Sequence, residues 1–345
     1  MEASSPLRLA AVQASSVWLD RDASVAKACV LIAEAGAAGA DLVAFPENFI
    51  PGHPSWFHYT PAGSPRSLRL AVKLFNEAIE IPSDAVSALC RAAAQANTIV
   101  VMGLTEKMPD STGTMYNTQL IIDESGEIVG KHQKLVATMT ERMVHSPGRP
   151  ETQRTFPTNV GEVSALVCGE NSNPLALAMI AAAYPVVHVA SWPAHVSPSS
   201  HGGVRDISHM VSRGTAHMLG CYVVSPSGVN SNEMIAEIAL DAADDEFLRD
   251  PAKNGGACIV NPFGQIIAGP MPGNDEGILY ADADPGLCVR ARLVLDVAGH
   301  YNRSDVYKLT VNNAPSNLVS TVVDSAPHAA LPATAEPDPV PNDVS

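Results

Sequence analysis

Clustered positive charge is what this chain most plainly lacks. Lys and Arg total 21 of 345 residues against 36 Asp and Glu, giving a formal charge of −15, and the basic residues form no run. Nucleic acid and acidic membrane surfaces both need a basic counter-surface, so neither is an expected partner. Cysteine motifs are missing as well. Cys29, Cys90, Cys168, Cys221, Cys258 and Cys288 lie far apart, with no C-x-x-C and no Cys/His group at zinc spacing, so they read as reduced thiols of a cytoplasmic protein and no metal is expected. No apolar run is long enough to span a bilayer; the longest, Leu175 to Val187, contains Pro185. The N-terminus has no basic segment leading into an apolar one, so no signal peptide is expected. No repeat of fixed period occurs. What is present is 46% apolar residues, enough for a sizeable core in one large or two ordinary domains.

Apolar patterning then sets the rhythm of the chain. Leu7 to Gln13 and Asp41 to Phe45 read as strands joined by an Ala-rich helix over Asp22 to Ala38, a βαβ unit that predicts an α/β fold. Helices are expected over Ser67–Ala78, Ser83–Ala96, Ala176–Ala183, Arg205–Leu219 and Pro285–Leu295. Strands are expected at Thr98–Gly103, Val163–Val167, Val186–Ala190, Cys221–Ser225 and Gly277–Tyr280. Tyr116 to Gly130 and Ala257 to Ala268 read as hairpins, and the alternation of βα units with hairpins suggests a mixed sheet. The stretch around Thr138, Thr140, Glu141, Arg142 and Pro147-Gly148 has no period and reads as loop. From Ala314 onward the sequence is rich in Ala, Pro, Ser and acids without periodicity, which predicts a poorly ordered or partner-wrapping tail.

Three polar residues stand at or just past strand ends. Cys168 follows Val163–Val167 and precedes a helix start at Asn173-Pro174-Leu175, a place where backbone N–H groups favour a thiolate and can hold a developing anion. Glu47 follows the Asp41–Phe45 strand, and Lys134 follows the second strand of the first hairpin. A thiol needs a base, which a partly desolvated carboxylate provides, and a protonated lysine stabilises negative charge as it forms. Each residue also has an ordinary reading, as a buried cysteine, a turn-capping carboxylate and a surface lysine. Their joint placement at the ends where open α/β sheets carry their sites favours the chemical one.

These segments resemble the nitrilase, or carbon–nitrogen hydrolase, superfamily. Phe45-Pro46-Glu47 is similar to its glutamate motif, Lys131-His132-Gln133-Lys134-Leu135 to its lysine motif, and Val167-Cys168-Gly169-Glu170-Asn171 to its cysteine motif. The resemblance covers Leu7 to about Asn312, so it implies a hydrolase domain over residues 1–312 and a tail over 313–345. It implies a four-layer α-β-β-α sandwich, no cofactor, and a homo-oligomer in which sheets stack across a dimer interface, larger and spiral assemblies included. It also implies catalytic roles: Cys168 as nucleophile, Glu47 as general base and later acid, Lys134 as electrostatic stabiliser, and Glu141 as a fourth acidic residue positioning the lysine and the substrate.

His53-Pro54-Ser55-Trp56, Ala190-Ser191-Trp192-Pro193 and the stretch from Asp296 to Leu309 look like true nitrilases. The expected substrate is therefore a small-molecule nitrile, converted to a carboxylic acid and ammonia through a thioimidate and an acyl-enzyme. The backbone N–H of Gly169 is expected to reach the charge that grows on nitrogen. The chain departs from the family in having Gly169 where Trp is usual and Ser304 where Pro is usual; losing an indole beside the nucleophile reshapes the pocket. Trp56, Phe57, Tyr59 and Trp192 are candidates for the pocket wall or, equally, ordinary core. His195 and His201 read as polar loop residues rather than site residues. An amidase of the same superfamily, a cyanide-degrading member of the same branch and a silent oligomeric scaffold are the competing readings. A papain-like cysteine hydrolase is disfavoured because no matching signature surrounds Cys168.

Overall fold

The computed structural model of the chain describes residues 6–197 and 203–314. In chain order the first half holds β1 (Leu7–Ala14), α1 (Arg21–Ala37), β2 (Leu42–Ala44), α2 (Pro65–Glu77), α3 (Asp84–Ala96), β3 (Ile99–Lys107), β4 (Met115–Ile122) and β5 (Ile128–Gln133). The second half holds β6 (Phe156–Thr158), β7 (Gly161–Val167), α4 (Pro174–Ala181), β8 (Val187–Ser191), α5 (Gly203–Leu219), β9 (Tyr222–Ser225) and β10 (Ser227–Gly228). It continues through α6 (Asn232–Ile238), α7 (Ala242–Arg249), β11 (Cys258–Val260), β12 (Ile266–Ala268), β13 (Gly277–Ala283) and α8 (Pro285–Val294). Helix starts follow local chemistry. Asp20 accepts from Ala23 N at 2.9 Å ahead of α1, and Asn173 accepts from Leu175 N at 3.0 Å ahead of α4, whose first residue is Pro174.

The strands form two sheets. The first runs β10-β1-β2-β3-β4-β5, with β13 antiparallel to β1 from Leu7↔Ala283 to Gln13↔Gly277. The second runs β12-β11-β9-β8-β7-β6. Strands β1, β2 and β3 are parallel, as are β7, β8 and β9, as their helical crossovers require.

Alternation along each strand explains why there are four layers. Leu9 and Ala11 of β1, Leu42 and Ala44 of β2, and Ile99 and Val101 of β3 pack against Val163 and Ala165 of β7, Val187 and Val189 of β8, and Val224 of β9. Their neighbours Ala10, Val12, Val43, Val100 and Met102 face the other way, onto Val25, Ala28 and Ile32 of α1 and Val86, Leu89 and Ala93 of α3. On the outer face of the second sheet, Leu166, Ala190, Val223 and Val260 pack on Ala176, Leu177 and Ile180 of α4 and Ala216 and Leu219 of α5. Strands apolar on both faces are what two covered sheets demand, and the expected α-β-β-α sandwich is the fold observed.

Three sequence expectations change. The stretch read as loop after Lys134 contains a 3-10 turn, Met139–Met143, because Thr138 N donates to Glu141 and ties off its start at 2.9 Å. The segment between β9 and β11, for which no element was expected, carries β10, α6 and α7; two short helices give too little periodicity to stand out. The first hairpin's second strand extends to Gln133, which puts Lys134 directly past its end. Of the expected tail over 313–345 only Asn313 and Ala314 fall within the described residues. Among the described residues no helix is long and apolar enough to cross a membrane.

Candidate active site

Lys134 sits at the centre of a buried ionic cluster. Leaving the end of β5, its backbone N–H donates to Asn117 O of β4 at 2.8 Å, and its Nζ donates to Glu47 Oε1 at 2.8 Å and to Glu141 Oε2 at 2.6 Å. Glu47 arrives from the end of β2 through Pro46, and its own N–H donates to Trp192 O just past β8 at 3.2 Å. Glu141 arrives on the Met139–Met143 turn. All three side chains are almost wholly buried. Asn117 completes the cluster, because its Nδ2 donates to Glu47 Oε1 at 2.6 Å and to Glu141 Oε1 at 2.7 Å. Beyond it, His145 Nδ1 pairs with Glu141 Oε1 at 3.0 Å and His145 Nε2 lies 3.4 Å from Thr105 Oγ1. Thr105 in turn donates to Asn48 Oδ1 at 3.3 Å, next to Glu47.

The two carboxylates are not equivalent. Burial pushes Glu47 above its ordinary range; Lys134 opposes this and the negative Glu141 adds to it. Burial acts on Glu141 in the same direction, but Lys134 and His145 outweigh it and hold that carboxyl well below the usual range. Burial disfavours the charge on Lys134, yet Glu47 and Glu141 more than compensate, so the ammonium is held firmly protonated. Among the described residues Glu47 Oε2 is buried without a hydrogen-bond partner, whereas Oε1 carries two donors. Glu47, His53 and Glu141 offer ligand atoms within 4.8 Å of one another, spacing that suits a cation. That cation is the Lys134 ammonium, already in contact with both carboxylates, so the cluster is not assigned to a metal. His53 Nε2 stands 4.0 Å from Glu47 Oε1, and burial holds the ring neutral, at a pKa of about 3.

Cys168 begins a 3-10 turn, Cys168–Ser172, at the end of β7, with φ +50, a left-handed conformation that a side chain adopts at a cost of about 1–2 kcal/mol. A buried polar chain holds this elbow. Ser164 Oγ pairs with His188 Nδ1 at 2.8 Å, and His188 Nε2 with Asn171 Oδ1 at 2.8 Å. Asn171 Nδ2 donates to Leu166 O and, at 3.0 Å, to Cys168 O. The thiol lies within electrostatic reach of Glu47, Lys134 and Glu141, and the Gly169 N–H points to it. Burial, then Glu47, push the thiol up; Lys134 and the Gly169 N–H oppose this without prevailing. The Gly169 N–H at the turn acts in the thiolate's favour, but burial outweighs it, so the thiol needs a base.

Glu170 links the two halves. Its Oε1 accepts from Leu135 N at 2.7 Å, beside Lys134; its Oε2 accepts from Val167 N at 3.1 Å, beside Cys168, and pairs with His132 Nε2 at 2.8 Å. Asn117, His132, His145 and Glu170 had no role assigned from sequence. For Asn117 a signal was present, since Asn117-Thr118-Gln119 puts three polar residues in succession inside an otherwise apolar strand, and all are buried.

The expected wall residues divide. Trp56 and Trp192 are 0% and 1% exposed and belong to apolar clusters, so they present no accessible face. Phe57 and Tyr59 are half-buried, with the Phe57 ring 5.2 Å from that of Trp56. A Cβ on Gly169 would meet only Thr138 Oγ1, at 3.6 Å, so the missing indole leaves open room. His195, read as a polar loop residue, is instead buried with its ring 4.3 Å from that of Phe247; His201 lies outside the described residues.

With fold and geometry in hand, comparison places the chain. The carbon–nitrogen hydrolase model matches residues 8–293, and the chain belongs to that family. Among its relatives are a nitrilase of Pseudomonas syringae pv. syringae, 36% identical over 322 residues that cover 92% of this chain and 94% of the relative. An arylacetonitrilase of Aspergillus kawachii is 33% identical over 316 residues, 90% and 93% of the two chains. The solved structure of Nit3 from Saccharomyces cerevisiae, a member of branch 10 of the nitrilase superfamily, superposes with a TM-score of 0.65 at 23% identity, covering 87% of this chain and 98% of that one. At that identity the last likeness speaks for the fold alone.

Proposed function

We propose that this chain is a nitrilase, hydrolysing an organic nitrile to the carboxylic acid and ammonia, with Cys168, Glu47 and Lys134 as its catalytic residues and Glu141 positioning the lysine. The observation that carries this reading is the Glu47–Lys134–Glu141 cluster beside a buried thiol, in which one carboxylate is pushed up and keeps an unpartnered oxygen. Because Cys168 rests as a thiol, its proton passes to Glu47 as sulfur adds to the nitrile carbon. Glu47 hands that proton on to the nitrile nitrogen, whose growing charge is stabilised by Lys134 and by the Gly169 N–H. Water, deprotonated by Glu47, then adds to the thioimidate, and both of its protons pass through Glu47 to nitrogen as ammonia leaves. A second water, deprotonated by Glu47, releases the acid as Glu47 reprotonates the departing sulfur. All proton transfers run between these side chains, substrate and water, so the scheme needs no cofactor.

The half-buried Phe57 and Tyr59 are the side chains proposed to border the substrate, with room beside Gly169 for a bulky group. The hydrolase domain is proposed to span residues 1–312 with the rest as a tail, and the protein to work as a cytoplasmic homo-oligomer, a dimer or larger. Matched nitrile and amide pairs test the activity. Ammonia release from the nitrile, lost in Cys168→Ala but kept in variants of Cys221 and Cys258, is the expected result. Turnover of the amide alone would assign an amidase instead.

A further inference from the structure

Both carboxylates of the cluster touch Lys134, and both are buried, so the ammonium alone does not decide which of them takes a proton. Asn117 touches both carboxylates through its side chain and the main chain of Lys134 through its own. Its carbonyl accepts the Lys134 N–H at 2.8 Å, and its single amide nitrogen donates to Glu47 Oε1 at 2.6 Å and Glu141 Oε1 at 2.7 Å. The side-chain orientation is compelled, since the reverse would aim an amide oxygen at two carboxylate oxygens. Counting donors separates the carboxylates. Glu141 has donors on both oxygens: Asn117 and His145 on Oε1, Lys134 and the Thr138 N–H on Oε2. Glu47 has both of its short contacts, Asn117 and Lys134, on Oε1, and Oε2 has none. Asn117 is 1% exposed and its own Oδ1 is buried without a partner among the described residues, a cost that a purely structural amide would avoid.

We propose that Asn117 is a positioning residue for Glu47, keeping its carboxylate ionised and pinning Oε1 so that Oε2 is the oxygen that takes the Cys168 proton. The proposal rests on the catalytic reading of Cys168 and Glu47 but not on the nature of the substrate. With Asn117 in place, two charge-assisted hydrogen bonds hold Glu47 ionised against its burial and fix the plane of its carboxylate. Without it, the carboxylate can rotate about its terminal torsion, either oxygen can meet Lys134, and Glu47 protonates at higher pH.

The test is alkylation of Cys168 by iodoacetamide, measured against pH and read by mass spectrometry of the peptide that contains it. In that reaction the S–C bond forms, the C–I bond breaks and iodide leaves, while the thiol proton moves to Glu47, so the rate falls as Glu47 becomes protonated. Asn117→Leu keeps the branched outline and removes both N–H donors. Losing a charge-assisted hydrogen bond is expected to move the acid limb of the rate profile upward by about one unit or more, with a drop of about fivefold or more at the wild-type midpoint. Asn117→Ser, which retains one short donor, is expected to move it less, and it carries the test should the leucine variant fail to fold by circular dichroism. An acid limb unmoved in the folded variants overturns the proposal. Because no nitrile is involved, a wild type that alkylates with this profile but hydrolyses no nitrile leaves the role of Asn117 standing and removes only the substrate assignment.

Discussion

Acid should loosen the nucleophile's support before it unfolds the rest, and His188 is the reason. The ring is 0% exposed between Ser164 and Asn171; burial, helped by the nearby His132, lowers its pKa from 6.5 to about 3. Asn171 Oδ1 accepts from Nε2, so Nδ1 is the bare nitrogen and accepts a hydrogen bond from the Ser164 hydroxyl; a second ring proton would force Ser164 to turn. Below pH 6.5 the unfolded chain binds a proton at this site that the native state refuses. The contribution of neutral His188 is therefore present above pH 6.5 and is lost as pH falls towards 3. At pH 5 the unfolded state gains 1.5 of the 3.5 units, or about 2 kcal/mol at ~1.36 kcal/mol per unit. The perturbation is His188→Gln, and the assay is urea unfolding at pH 7 and pH 5 for both proteins. The variant should be less stable at pH 7 by about 1–3 kcal/mol for its broken hydrogen bonds. Between pH 7 and 5 it should nevertheless lose about 2 kcal/mol less than the wild type. His53, also held at about 3, titrates in both proteins and cancels in the difference. Equal losses in the two proteins would refute the reasoning.

Three further outcomes follow from the site. Glu47→Gln keeps the size and leaves Lys134 paired with Glu141, so kcat should fall by roughly 10²–10⁴-fold with KM little changed and the melting temperature near wild type; steady-state kinetics reads it, and a fall under tenfold would remove Glu47 as base. Gly103→Ala builds a Cβ 2.0 Å from the backbone oxygen of Pro46, so the strand end that carries Glu47 must move. A stability loss of about 1–3 kcal/mol with a fall in kcat larger than that loss explains is expected, and a native kcat would argue that the Glu47 segment tolerates displacement. Glu170→Gln leaves one acceptor oxygen for three donors, so one of Val167 N, Leu135 N and His132 goes unpaired at about 1–3 kcal/mol; a lowered melting point with kcat reduced and KM held is expected, against no change if Glu170 only fills space.

The parts of this molecule legible in the sequence were those written in short range. Strand ends, the Asn173-Pro174 helix start and the three motif segments each occupy a few neighbouring residues, and each appears where its local chemistry placed it. What was not legible depends on partners far apart in the chain. Asn117 meets Glu47 across 70 positions, and Glu170 reaches Leu135 across 35. A polar residue in a strand announces that it has a partner, but not which one. Cys168 shows the same division: the Gly169 N–H is a local feature and opposes the rise, while burial and Glu47 are products of tertiary packing and prevail. The two indoles illustrate the same limit, since a sequence motif cannot tell a pocket wall from the core behind it.

The site also explains where polar groups were placed in a largely apolar sandwich. Glu47 and Lys134 hang from the ends of β2 and β5 in the first sheet, while Cys168 hangs from β7 in the second, so the chemistry depends on how the sheets are registered. The layer between them is Leu, Val, Ile and Ala, whose attraction is strong but non-directional and tolerates small slides. Register at the rim comes from directional contacts. Gln119 donates to Ser191 Oγ at 2.5 Å, Ser191 donates to Phe45 O at 2.9 Å, Glu47 N donates to Trp192 O, and Glu170 joins the two motif ends. Buried polar groups are costly in such surroundings unless fully paired, and when paired they fix geometry that packing leaves soft. Truncations in the apolar middle layer should therefore cost stability first and rate second, and substitutions at the polar rim should do the reverse.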